Sequence, residues 1–221
     1  MKPTQNTLHK KSETDLATYQ RKQIGNSCSF HAISTGINLL LNLSIDPMAL
    51  SEEINRLWWQ AHFMRIAPNW AVTPRMQVRI INHLAHTRHL SISADFLHGT
   101  PDILHQILSD PRGIYVPIVT ILWCGQRPNI YYANSHRNNM RTSFIGGHSM
   151  ILAAFDPDHT TQGEFCTPWG FINSWKDKAN HLFWMREEEF LRAWRFWIPF
   201  IGPNPLVLMK RIDGLESTEV I

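Results

Sequence analysis

Three residues far apart in the chain have the types needed for nucleophilic chemistry: Cys28, His148 and Asn173. Cys28 sits in Gln23-Ile24-Gly25-Asn26-Ser27-Cys28-Ser29-Phe30-His31-Ala32, where a polar leader gives way to the apolar run Ile33 to Leu43. A Cys at that junction falls in the first turn of a helix, where unpaired backbone N–H groups and the dipole favour a thiolate. His148 follows two glycines in Gly146-Gly147-His148-Ser149-Met150-Ile151-Leu152, and Asn173 lies in Phe171-Ile172-Asn173-Ser174-Trp175. An imidazole facing the thiol raises the thiolate fraction, and an Asn carbonyl fixes the ring by its other N–H. These settings predict a Cys28 pKa well below the ~8.5 of a free thiol. Gln23 is placed to donate its amide N–H to a developing oxyanion, beside the Cys28 backbone N–H.

Those residues need a scaffold, and the composition supplies one. Apolar residues make up 43% of the 221 and charged residues 18%, which describes a globular chain. The length suits one large domain or two packed lobes. A net charge of +3, carried by scattered Lys and Arg, implies no nucleic-acid groove. No stretch approaches the ~20 apolar residues needed to span a bilayer, and the polar, Lys-rich first 22 residues lack the apolar core of a signal peptide. Three cysteines (Cys28, Cys124, Cys166) make an odd set without a disulfide framework, which suggests a reducing compartment. The expectation is a cytoplasmic protein with no membrane contact; export by a dedicated secretion system stays open.

The chain divides by period. A helix is expected from Cys28 to Leu43, capped by Ser27 or Asn26. Asp46-Pro47, Thr73-Pro74 and Thr100-Pro101 read as N-cap and first helical position of three more, reaching Phe63, His86 and Asp110. From Gly113 the pattern turns β-branched and aromatic. Strands are expected at Gly113–Trp123, Ser149–Phe155, Trp169–Asn173, Leu182–Met185 and Leu206–Arg211, with a short helix from Glu187 to Trp194. Arg127 to Phe144, Asn-rich and aperiodic, reads as a loop. This gives an α+β chain: a polar extension over 1–22, then one domain over 23–221, with a helical lobe (about 23–112) and an antiparallel sheet lobe (about 113–211).

Taken together, the motifs resemble those of the papain-like cysteine peptidases, especially the bacterial branch. Gly25-Asn26-Ser27-Cys28-Ser29 partly matches the family's C-G-[SA]-C-[WY]. Gly146-Gly147-His148-Ser149-Met150 is similar to its G-G-H-A-V, and Trp169-Gly170-Phe171-Ile172-Asn173-Ser174-Trp175 to its W-x-x-x-N-S-W. Leu182-Phe183-Trp184-Met185 with Phe190 resembles the aromatic segment that follows. The likeness runs from about Gln23 to Phe200, with its middle stretch unsupported. It implies a two-lobe fold with a cleft between the lobes, Cys28 as nucleophile, His148 as base and then acid, and Asn173 as orienting group. It further implies Gln23 as oxyanion donor, Trp175 as a shield over the Asn173–His148 hydrogen bond, and neither cofactor nor metal. Departures are equally specific. Gln23 lies five residues before the Cys where the family has six, Ser29 replaces the Trp after the nucleophile, and Gly25 replaces a disulfide Cys. Only 27 residues precede Cys28, too few for the family's large pro-segment, so control would come from expression, substrate choice or a regulatory or inhibitory partner.

Other features read more plainly. His83, His86 and His89 lack companion Cys or an H-E-x-x-H pattern and suit a solvated helix face rather than zinc. Trp58 and Trp59, being adjacent, point in different directions from one helix, and Cys124 and Cys166 look inert in apolar strands. The leading function is a thiol peptidase acting on a peptide or protein substrate through an acyl-enzyme. Side-chain deamidation, transamidation or acyl transfer would use the same triad, and a weakly catalytic binding module is the third class. The Trp59–Pro74 and Arg127–Thr142 stretches are the expected cleft walls.

Overall fold

Each Thr/Asp-Pro step opens a helix, because proline presets φ and the side chain before it caps the first turn. Asp46 Oδ1 accepts the Met48 and Ala49 N–H groups at 2.9 Å each. Thr73 Oγ1 accepts from Met76 at 3.3 Å and Thr100 Oγ1 from Ile103 at 3.2 Å. The structure, a computed structural model, describes residues 6–57, 72–132, 135–136, 141–161, 163–175, 181–197, 199 and 201–212. In chain order the elements are β1 (Asn6–Thr7), α1 (Glu13–Ala17), α2 (Cys28–Leu41), α3 (Pro47–Leu57), α4 (Pro74–Thr87), β2 (Ile92–His98) and α5 (Pro101–Ser109). There follow β3 (Tyr115–Gln126), β4 (Tyr131–Tyr132), β5 (Ser135–His136), β6 (Arg141–Phe155), β7 (Thr160–Thr161), β8 (Phe165–Cys166), β9 (Trp169–Ile172), β10 (Phe183–Met185), α6 (Glu187–Trp194) and β11 (Pro205–Arg211).

The fold is mixed α+β around one antiparallel sheet. Its order is β2-β11-β3-β6-β9-β10-β4-β5, with β1 added to β6, while β7 and β8 form a separate ribbon. Helix α2 is the hub. Every residue from Cys28 to Leu40 is buried, including the polar Ser29, His31, Ser34, Thr35 and Asn38. Its polar side chains are tied down: Ser34 Oγ donates to the Ile45 carbonyl at 2.6 Å, and Asn38 both donates to Ile45 and accepts from it. The helix ends at Asn42 in the left-handed conformation (φ 53°).

Four sequence readings change. Strand β2 falls in the half read as helical and pairs along its whole length with β11, from Ile92 opposite Arg211 to His98 opposite Pro205. Only Ile92 and Ala94 of it are fully buried, so its alternation is faint in the sequence. The 127–144 stretch read as a loop carries β4, β5 and the start of β6. The polar first segment contributes β1 and α1 to the packed structure, with Leu8, Leu16 and Ala17 fully buried. Ser27 holds the N-cap position of α2 but makes no cap bond; its hydroxyl donates instead to the Ile24 carbonyl at 2.8 Å. Trp58, Trp59 and the remaining residues to 71 lie outside the described residues. His83 and His86 are on α4, whereas His89 lies beyond it at φ 52°, so the three do not share a helix face. No helix among the described residues is long and apolar enough to cross a membrane.

Candidate active site

Pairing of β6 with β9 sets Ile151 opposite Ile172. That register brings His148, midway along β6, beside Asn173, just past the end of β9. His148 Nε2 lies 2.8 Å from Asn173 Oδ1. The Trp175 backbone N–H also donates to Oδ1, at 3.1 Å, which identifies that atom as the carbonyl oxygen and Nε2 as the protonated ring nitrogen. The Trp175 indole stacks on the imidazole, centroids 4.3 Å apart and planes at 29°. The Arg127 guanidinium lies 4.7 Å from the far ring of this stack, over Trp175. His148 is 2% exposed and Asn173 1%. Gly146, two residues before His148, has a packing reason, since a Cβ there would overlap the Trp123 ring.

Cys28 is the first residue of α2 and is brought against the same strand. The Ser149 backbone N–H, one residue past His148, and Ser29 lie near its sulfur and favour its charged form. The thiol is 3% exposed. Burial is the largest influence on it and pushes the pKa up, above the opposing effect of those hydrogen bonds. This runs against the expected depressed pKa: a lone thiolate in so dry a setting is disfavoured. Cys124 and Cys166, expected in apolar strand settings, lie near strand ends and are exposed.

Gln23 is joined to the same site. Its backbone N–H donates to the Ser174 carbonyl at 2.7 Å, and its Oε1 accepts from Ser174 Oγ at 2.6 Å. Its Nε2 donates to the Gly25 carbonyl at 2.8 Å, so the amide is anchored beside Asn173 while turned to its own loop. His148, Asn173, Trp175 and Gln23 are thus linked directly or through Ser174, and Cys28 lies near Ser149, the residue after His148.

Sequence reasoning missed the supports behind them. Gln20, in the segment read as a polar extension, is buried: its Oε1 accepts the Asn173 backbone N–H at 3.2 Å and its Nε2 donates to the His181 carbonyl at 2.8 Å. Gln77 is fully buried between α2 and β6. A signal for it existed, because Gln77, Ile80, Ile81 and Leu84 share the buried stripe of α4 and Gln77 is its one polar member. His31 lies one turn along α2 from Cys28. It lines a small cavity with Asn173, Gln20 and Thr35, and its Nε2 and Asn173 Nδ2 are buried there without hydrogen-bond partners. No protein-family model matches this chain, and no curated protein matches it.

Proposed function

We propose that the protein is a papain-like cysteine peptidase, with the start of α2 on one side of its catalytic cleft and the middle of β6 with the end of β9 on the other. The observation that carries this reading is the 2.8 Å bond from His148 Nε2 to Asn173 Oδ1, with the buried Cys28 sulfur near the Ser149 N–H that follows His148. With Nε2 committed to Asn173, Nδ1 is the ring atom that exchanges protons with the thiol and the leaving group. Because burial favours the neutral thiol, its proton passes to His148 as the sulfur attacks the carbonyl carbon. Charge then develops as a pair rather than alone. The tetrahedral oxyanion is received by the Cys28 N–H and by the Gln23 amide once it swings from Gly25. Collapse breaks the C–N bond, the imidazolium protonates the amine, and a thioester remains on Cys28. Water, deprotonated by His148, hydrolyses it and regenerates the thiol.

Deamidation, transamidation and acyl transfer diverge only at the leaving group or at the acceptor of the thioester. Profiling over a peptide library, with Cys28→Ala as control, decides among them. New N-termini absent from the control establish peptide-bond hydrolysis. Ammonia release or amine incorporation without cleavage replaces it with the corresponding amide chemistry, and no Cys28-dependent product removes the enzymatic reading.

A further inference from the structure

The hydrogen bonds of the Asn173 amide are complete on one side only. Its Oδ1 accepts from His148 Nε2 at 2.8 Å and from the Trp175 N–H at 3.1 Å, which fills both lone pairs. Its Nδ2 is buried and, among the described residues, donates to no protein group. A buried amide donor in that state is costly enough to require an acceptor.

His31 has the complementary need. It is 4% exposed, and its Nε2 is buried without a partner among the described residues. Burial lowers its pKa from 6.5 to about 4, so the ring is neutral at pH 7 and one of its nitrogens can accept. His31 and Asn173 line the same cavity of about 10 Å³, together with Gln20, Thr35 and Ser174. That volume suits a single water. A water also needs further polar neighbours, and two hydroxyls on the cavity wall supply them. Thr35 Oγ1 donates to the Tyr19 carbonyl at 3.4 Å and Ser174 Oγ to Gln23 Oε1 at 2.6 Å, which leaves each oxygen able to accept.

We propose that this cavity binds one water, which accepts from Asn173 Nδ2 and donates to His31 Nε2, and that His31 is thereby a positioning residue for His148. This rests on His148 being the catalytic base. Oδ1 aims the imidazole, so any turn of the amide about its own bond loosens the ring that leans on it. Tying Nδ2 from behind leaves the amide one orientation, with its carbonyl toward His148. The same bond sets the His31 tautomer, with the proton on Nδ1.

The first test is a crystal structure of the full chain at a resolution that shows ordered water. Density for one water within hydrogen-bond reach of both His31 Nε2 and Asn173 Nδ2 is expected. A dry cavity, or either atom bonded directly to a protein group, would overturn the inference whatever the chain catalyses. The second test reads the positioning role on a substrate found by profiling. His31→Leu should lower kcat about 3-fold with KM unchanged, and His31→Gln, which keeps a polar atom near the Nε2 position, should recover most of that loss. In an Asn173→Ala background His31→Leu should lower kcat no further, because it acts only through that amide. With all variants folded by circular dichroism, three results would assign His31 to packing and overturn its positioning role: no loss, equal losses in the Leu and Gln variants, or an undiminished loss in the Asn173→Ala background. Should His31→Leu fail to fold, the density alone decides. A chain that forms no Cys28-dependent product removes the peptidase reading instead, and the density at Asn173 Nδ2 still decides whether the water is bound.

Discussion

On the proposed reading, the base side around His148 and the nucleophile side around Cys28 are built to opposite standards. Around His148 everything is already in place: Asn173 on Nε2, Trp175 stacked on the ring, and Gln20 on the Asn173 backbone. Around Cys28 the resting arrangement is closed. Burial disfavours the charged sulfur and the Gln23 amide is spent on Gly25. Orientation of the base is therefore preorganised, whereas charge stabilisation waits for substrate. A dry, neutral nucleophile limits side reactions at rest, and the developing charges are met by donors that have only to rotate.

The sharpest way to break this contrast is to remove its two centres. Cys28→Ala and His148→Ala should each lower kcat/KM about 10³-fold or more on a substrate found by profiling. A smaller loss in His148→Ala would mean that another base serves. Gln23→Ala should lower kcat about 10²-fold, the usual cost of one oxyanion donor. Cys28 alkylation should be unaffected, since Gln23 does not touch the sulfur. Near-normal turnover would leave the backbone amides of the Gly25–Cys28 turn as the donors.

Asn173→Ala should cost less, about 10-fold in kcat, because it orients the proton carrier without carrying the proton. Gln20→Leu acts one step further back. It strands the Asn173 N–H and should cost about 1–3 kcal/mol of stability in urea titrations, with only a few-fold fall in kcat. Equal kcat losses in Asn173→Ala and Gln20→Leu would show that backbone placement of Asn173, not its side chain, sets the ring.

The smallest effect concerns His31. Burial lowers its pKa from 6.5 to about 4. Between those values the unfolded chain binds a proton that the folded chain refuses. Its contribution to stability is thus complete above pH 6.5 and lost as pH falls toward 4. After solvent screening the loss is on the order of 2 kcal/mol. Denaturant titrations at pH 7 and 4.5 should show a smaller acid loss in His31→Gln than in the parent, and equal losses would remove His31 from the account.

How far the sequence carried depended on whether a signal was local. The Asp46-Pro47, Thr73-Pro74 and Thr100-Pro101 steps specify their helices through contacts three residues long, and all three appear. The apolar second-half strands appear too, with altered ends. Strand β2 is missed because its stability comes from β11, more than a hundred residues away, and its own alternation is weak. The site residues were legible as types in order. The pKa of Cys28 was not, because helix position predicts one direction and packing by α4, β3 and β6 decides the other. Gln20 escaped because a polar residue in a polar segment carries no mark of being buried.

The hold of Gln20 on Asn173 has a consequence for handling and ageing of the protein. Arg21 and Lys22 follow it directly and are exposed, the chemistry a trypsin-like protease selects. A nick there removes no catalytic side chain and leaves the mass of the folded particle almost unchanged. Yet it converts an internal tether into an association between two pieces, which then obeys concentration. Clipped material would keep its activity in a concentrated stock and lose it on dilution, so its specific activity would depend on how long and how thin it had been stored.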